Sequence, residues 1–171
     1  MQFHKNNIGP EWQDLVNEFP EIFLELSPQV LEMFEEYGGK GFPETLEECC
    51  NLRYGAECDI GWKNIIREFC FKIRELVNTA KENGHEIYYK TFILKEKFGT
   101  LRDQGDFGGK DSKLYRDEYR KISADLENAS HTVCELTGKP GRPCRKSSGW
   151  LKTVSDGVAL EKGMTPISTD K

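Results

Sequence analysis

A chain of 171 residues and 19.7 kDa can bury one sizeable core and leaves no room for two full domains. Hydrophobic residues at 37% and charged residues at 31%, with a net charge of −5, exclude a disordered chain. No run of about eighteen apolar residues occurs, and Met1-Gln2-Phe3-His4-Lys5-Asn6-Asn7 lacks the basic-then-apolar order of a signal peptide, which points to a cytoplasmic protein without a membrane span. Six cysteines in such a setting are expected to stay reduced, free or bound to metal.

The charge is uneven. Thirteen acidic residues lie between Glu11 and Asp59 against only Lys40 and Arg53, so the rest of the chain is net basic. An acidic face suits a basic partner and a basic face suits nucleic acid, although most such charge is simply solvated.

In chain order, residues 10 to 37 read as two short helices. Pro10-Glu11 opens the first, Trp12, Leu15, Val16 and Phe19 share a face, and Pro20 ends it. Ser27-Pro28 starts the second, with Val30, Leu31 and Phe34 as its apolar stripe and Gly38-Gly39 as its stop. Residues 38 to 58 read as a loop with one helical turn between 44 and 50. From 61 to 83 the stripe Trp62, Ile65, Ile66, Phe69, Ile73, Leu76, Val77 and Ala80 predicts the central helix, capped by Asp59 and stopped at Gly84.

The pattern then switches to β. Ile87, Tyr88, Tyr89, Thr91, Phe92 and Ile93 predict a strand over 86 to 94, residues 95 to 99 a turn, and 100 to 102 a returning strand. The aromatics of this hairpin fit core better than a stacking platform. Gly105, Gly108 and Gly109 read as a loop before a second amphipathic helix over 111 to 130, with Tyr115, Tyr119, Ile122, Leu126 and Ala129 on one face. The predicted fold is α+β, with a core domain over 1–132, a loop-rich basic appendage over 133–160, and a disordered tail over 161–171.

Three segments carry a resemblance: Cys58-Asp59-Ile60-Gly61-Trp62, the run from Leu94 through Lys97-Phe98-Gly99 to Arg102, and Cys134-Glu135-Leu136-Thr137-Gly138-Lys139-Pro140-Gly141 followed by Gly149-Trp150. In order and spacing, over roughly 55 to 158, they resemble a group of small uncharacterised proteins of bacteriophages and prophages. That resemblance implies a zinc-ribbon-like appendage with two ligand pairs. Here Cys134 keeps one position, but Thr137, Ser155 and Val158 stand at the others, so no bound metal and no other cofactor is expected. An alternative set would join Cys134 and Cys144 to His131, or to Cys49, Cys50 or Cys58, at no standard spacing.

No catalytic constellation is legible. The three histidines, His4, His85 and His131, lie at a terminus, a turn and a helix end, and only His131 has a cysteine nearby in sequence. Adjacent pairs Glu35-Glu36 and Glu47-Glu48 point apart on a helix, and no phosphate-binding glycine loop is present. The expectation is therefore a non-enzymatic accessory protein of phage type that binds a host protein in the host cytoplasm, with inhibition of a host defence as one such role and Glu32, Glu35 and Glu36 as contact residues. The alternative is a nucleic-acid-binding protein using Lys139, Arg142, Arg145, Lys146, Trp150 and Lys152. The plainer reading of this cluster is a solvated loop pinned by a buried Trp150.

Overall fold

The computed structural model describes residues 9–37 and 56–167. Expectations for His4, Gly38-Gly39, the helical turn between 44 and 50, Cys49, Cys50 and residues 168–171 lie outside the described residues, as do those for the side chains of Val30 and Phe34.

Three helices, not two, occupy the N-terminal stretch. A 3-10 turn at Pro10–Trp12 leads into α1 (Gln13–Glu18), Pro20 opens α2 (Pro20–Phe23), and α3 spans Pro28–Tyr37. Pro20 acts twice, because a proline has no N–H to continue α1 but its fixed φ suits the first turn of the next helix. Trp12, Leu15, Val16, Phe19, Ile22 and Phe23 are all buried.

The central helix, α4, spans Lys63–Glu82, and its stripe buries Ile66, Phe69, Cys70, Ile73, Leu76 and Ala80 as the helical period requires. Gly84 stops it at φ +75°, with the His85 N–H reaching back to the Ala80 carbonyl. Asp59 does not cap it. Ile60–Trp62 forms a 3-10 turn instead, and the Asp59 carboxylate accepts a hydrogen bond from Lys152 Nζ at 3.1 Å.

The acidic N-terminal helices lie on the basic side of α4. Asp14 pairs with Lys63 and with Arg67 at 2.9 Å, Glu18 with Arg67 at 2.8 Å, and Glu21 with Arg74 at 2.6 Å, while the Arg74 guanidinium stands 4.2 Å over the Phe19 ring. Lys90, buried on the neighbouring strand, pairs with Glu25 at 2.9 Å. Much of the charge asymmetry is thus complementarity within one molecule. Each exposed pair adds little to stability alone, but the set fixes where the N-terminal helices dock.

The first sheet has the order β1-β2-β3. Here β1 (Ala56–Glu57), read from sequence as loop, runs parallel to β2 (Tyr88–Lys97), and β2 pairs antiparallel with β3 (Thr100–Gly108). The hairpin is longer than expected on both arms. Its turn is only Phe98-Gly99, so residues 95–97 are strand, and Gly105 and Gly108 lie within β3 rather than in a loop. Those glycines provide room: a Cβ on Gly105 would meet the Tyr89 ring at 2.3 Å, and one on Gly108 the Tyr88 hydroxyl at 2.4 Å. Against this sheet and α4 packs α5 (Ser112–Ser130), which buries Tyr115, Ile122 and Leu126.

Residues beyond Val133 are not mainly loop. They form an antiparallel sheet of order β5-β4-β6, made of β4 (Arg142–Arg145), β5 (Leu151–Val154) and β6 (Thr165–Pro166), with α6 (Asp156–Glu161) between the last two strands. Cys134, Cys144, Val154, Val158, Ala159 and Met164 make its own small core. The expectation of a disordered tail from 161 is corrected as far as residue 167: Met164 is buried, and β6 pairs with β4 through Thr165 and Pro166. The buried Met164, the β6–β4 pairing and the Ile167 N–H to Pro143 carbonyl bond at 3.0 Å together dock it. The architecture is α+β, and no helix among the described residues is long and apolar enough to cross a membrane.

Candidate functional site

The second module is stitched to the first by backbone and buried polar contacts. The Gly61 N–H donates to the Glu135 carbonyl at 2.7 Å, Trp62 Nε1 donates to the Val133 carbonyl at 2.8 Å, and Thr153 Oγ1 donates to the Gly99 carbonyl at 2.7 Å. Lys152 Nζ bridges Glu135 at 2.8 Å and Asp59 at 3.1 Å. Burial works against the Lys152 charge, but the two carboxylates outweigh it and hold the ammonium above its usual range.

Cys134 opens a tight turn closed by the Gly138 N–H donating to the Cys134 carbonyl at 2.9 Å. Burial raises the thiol's pKa, but the Thr137 hydroxyl and the backbone groups of Ser155, Thr137 and Leu136 bond to the sulfur and bring it below the ordinary value. Val158 offers no donor and packs with Cys134 and Cys144 in the small core. These residues do not fit a tetrahedral zinc, and among the described residues no group of three or more His, Cys, Asp or Glu side chains is disposed to hold a metal. His131 is exposed while Cys134 is fully buried. The Cys58 thiol is pushed up to about 12 by burial and by Glu135 and Asp59, which makes it inert at neutral pH.

The most perturbed carboxyl is Asp103 on β3. It accepts hydrogen bonds from the hydroxyls of Tyr89, Thr91 (3.2 Å) and Tyr119 (3.2 Å), and burial pushes it up to about 6 in spite of these donors. A carboxyl whose folded pKa is raised binds its proton more readily folded than unfolded, so stability falls as pH rises from about 4 through 6. Each pH unit in that window costs about 1.4 kcal/mol, so wild type should lose up to about 3 kcal/mol of its advantage over Asp103→Asn between pH 4 and pH 7. Urea unfolding of both proteins across that range checks it, and a constant difference would place the carboxylate in water.

The exposed chemistry gathers elsewhere, where two hairpin tips meet. The β2–β3 turn holds Phe98 at φ +56° and Gly99 at φ +80°. Positive φ at both central residues is the two-residue turn whose twist matches the strands, and it favours Asn-Gly or Asp-Gly. Phenylalanine there is strained by roughly 1 kcal/mol or more, and its side chain is 71% exposed. Beside it, the β4–β5 turn presents Trp150, 57% exposed. The expectation of Trp150 as a buried pin is therefore set aside: Lys146 and Trp150 close the turn by a backbone bond of 2.9 Å, leaving the indole outside.

An open cleft of about 540 Å³ lies between the tips, lined by Lys97, Phe98, Trp150 and Leu151 together with Glu96 and Gly149. Glu96 Oε1 accepts the Gly99 N–H at 2.7 Å, which ties this carboxylate into the turn. Lys97 Nζ stands 5.7 Å from the Phe98 ring centroid. Arg145 sits across the ladder from Leu151, and Lys146 follows it.

The sequence-selected residues divide clearly. Arg142 pairs with Asp156 at 2.7 Å, and Lys152 is held by Glu135 and Asp59. Lys139, Arg145 and Lys146 are exposed and have no ion-pair partner among the described residues, and the same holds for Glu32, Glu35 and Glu36 on α3. Sequence reasoning passed over Phe98 and Lys97. The signal was present in Lys97-Phe98-Gly99-Thr100, where an aromatic fills a turn position that prefers asparagine. Comparison with family models, with curated proteins and with solved structures finds no match.

Proposed function

We propose that this chain is a non-enzymatic accessory protein of bacteriophage type, that it acts by binding, and that it grips its partner with the end of the molecule where the two hairpin tips meet. The observation that supports this is Phe98: an aromatic ring held in water on a backbone conformation it disfavours. Neither folding nor turn preference selects phenylalanine at that position. Contact with a partner does, and sequestering a host component is how such a protein would blunt a host defence.

A second reading keeps a basic host protein as the partner, seated on α3. It is favoured by the exposure of Glu32, Glu35 and Glu36, since Asp14, Glu18 and Glu21 are already engaged by α4. Capture from host lysate separates the two. Phe98→Asn with Trp150→Ala should abolish capture, and Glu32→Lys with Glu35→Lys and Glu36→Lys should leave it unchanged. The reverse pattern would move the contact to α3.

A further inference from the structure

We infer that the ligand of the paired hairpin tips is single-stranded nucleic acid, with bases stacked on Phe98 and Trp150 and the phosphate backbone running over Lys97, Arg145 and Lys146; this rests on the tips being the binding surface. Two exposed aromatic rings flank one open cleft, and each sits on a short turn fixed by backbone bonds. Gly99 is held from three sides: its N–H donates to Glu96, its carbonyl accepts from Thr153, and its Cα lies so close to β5 that a Cβ would meet the Lys152 backbone at 3.3 Å. The rings are therefore presented on rigid supports, which lowers the entropy lost when bases stack on them.

Charge selects the class of ligand. Lys97 beside Phe98, and Arg145 and Lys146 at the β4–β5 turn, have no ion-pair partner among the described residues, whereas Arg142 is engaged by Asp156 and Lys152 by Glu135 and Asp59. Unpaired cations beside solvent-facing aromatics match a chain that alternates flat faces with negative charge. An apolar peptide would leave those cations unanswered. A duplex fits poorly, because its base faces are already stacked and a two-ring cleft is not a groove-reading helix or ribbon.

The test uses the full chain and labelled oligonucleotides: a deoxythymidine 12-mer, a uridine 12-mer and a 12-base-pair duplex, measured by fluorescence anisotropy across a salt series. The single strands should bind at least ten-fold more tightly than the duplex, quench the indole fluorescence, and weaken steeply with salt. Phe98→Asn and Trp150→Ala should each weaken binding about ten-fold or more. Because asparagine suits this turn better than phenylalanine, Phe98→Asn should melt no lower than wild type, so its loss of binding is not a loss of fold. Arg145→Glu with Lys146→Glu should flatten the salt dependence, and Lys121→Glu, a charge reversal on α5, should not. Equal affinity for duplex, or binding untouched by Phe98→Asn and Trp150→Ala, overturns the inference. If no oligonucleotide binds but the tip variants still lose the partner captured from lysate, the ligand is a protein and only this inference falls; if they lose nothing, the surface itself is wrong.

Discussion

Gly61→Ala is expected to destabilise the protein by about 3 kcal/mol or more, beyond the usual range for one added methyl. A Cβ at position 61 would stand 2.3 Å from the Cys134 carbonyl oxygen and 2.4 Å from that of Glu135. Both are backbone atoms, so no rotamer change relieves the contact. The Gly61 N–H bond to the Glu135 carbonyl would be forced apart, and with it the neighbouring bond from the buried Trp62 indole to the Val133 carbonyl. Denaturant unfolding measures the loss. It should be accompanied by a changed Trp62 emission, because separating the modules lets water to the indole. A variant that unfolds with wild type would mean the two modules do not touch at Gly61, and the second module would then be the independent appendage that composition suggests.

Phe69→Ala should cost about 3–5 kcal/mol, the range for deleting a buried aromatic and leaving a cavity. Phe69 is 3% exposed, and its ring meets Tyr89 edge-on at 5.7 Å. Tyr89 in turn donates to Asp103, so the cavity also loosens the support of a buried carboxylate. Phe71 supplies the control. It lies two residues along the same helix with 54% of its surface exposed, and Phe71→Ala should change stability by roughly 0.5 kcal/mol or less. Thermal and denaturant unfolding of the two variants distinguish them; equal losses would show that the helix is rotated from its assigned face.

Both variants probe what local pattern can and cannot convey. The stripe on α4, its stop at Gly84 and the buried face of α5 follow from spacing alone, because a helix closes its hydrogen bonds within four residues and its buried side is written at a period of 3.6. Pro20 was legible as an end but not as a beginning, since the helix it opens is held by packing of Ile22 and Phe23 rather than by its own length. The hairpin was legible in kind but not in extent. Strand pairing depends on the partner's side chains, and Gly105 is required by the Tyr89 ring across the ladder, which no local rule for glycine reveals.

The same limit governs the site. Sequence alone marked Arg145, Lys146 and Trp150 as candidates. Only tertiary structure decided which cations are engaged, because Lys152 meets Asp59 across the module boundary and Glu135 within its own module, and Arg142 meets Asp156 at the start of α6. Only tertiary structure brought Phe98 beside Trp150, through the Thr153–Gly99 bond that ties β5 to the β2–β3 turn. The acidity of the N-terminal helices likewise reads as an outward surface in the sequence, yet Lys63, Arg67 and Arg74 lie beneath it in the fold. Composition records how much charge and how many rings a chain carries; whether each faces water or another residue depends on contacts between distant segments, and those are set by the packing of the whole fold.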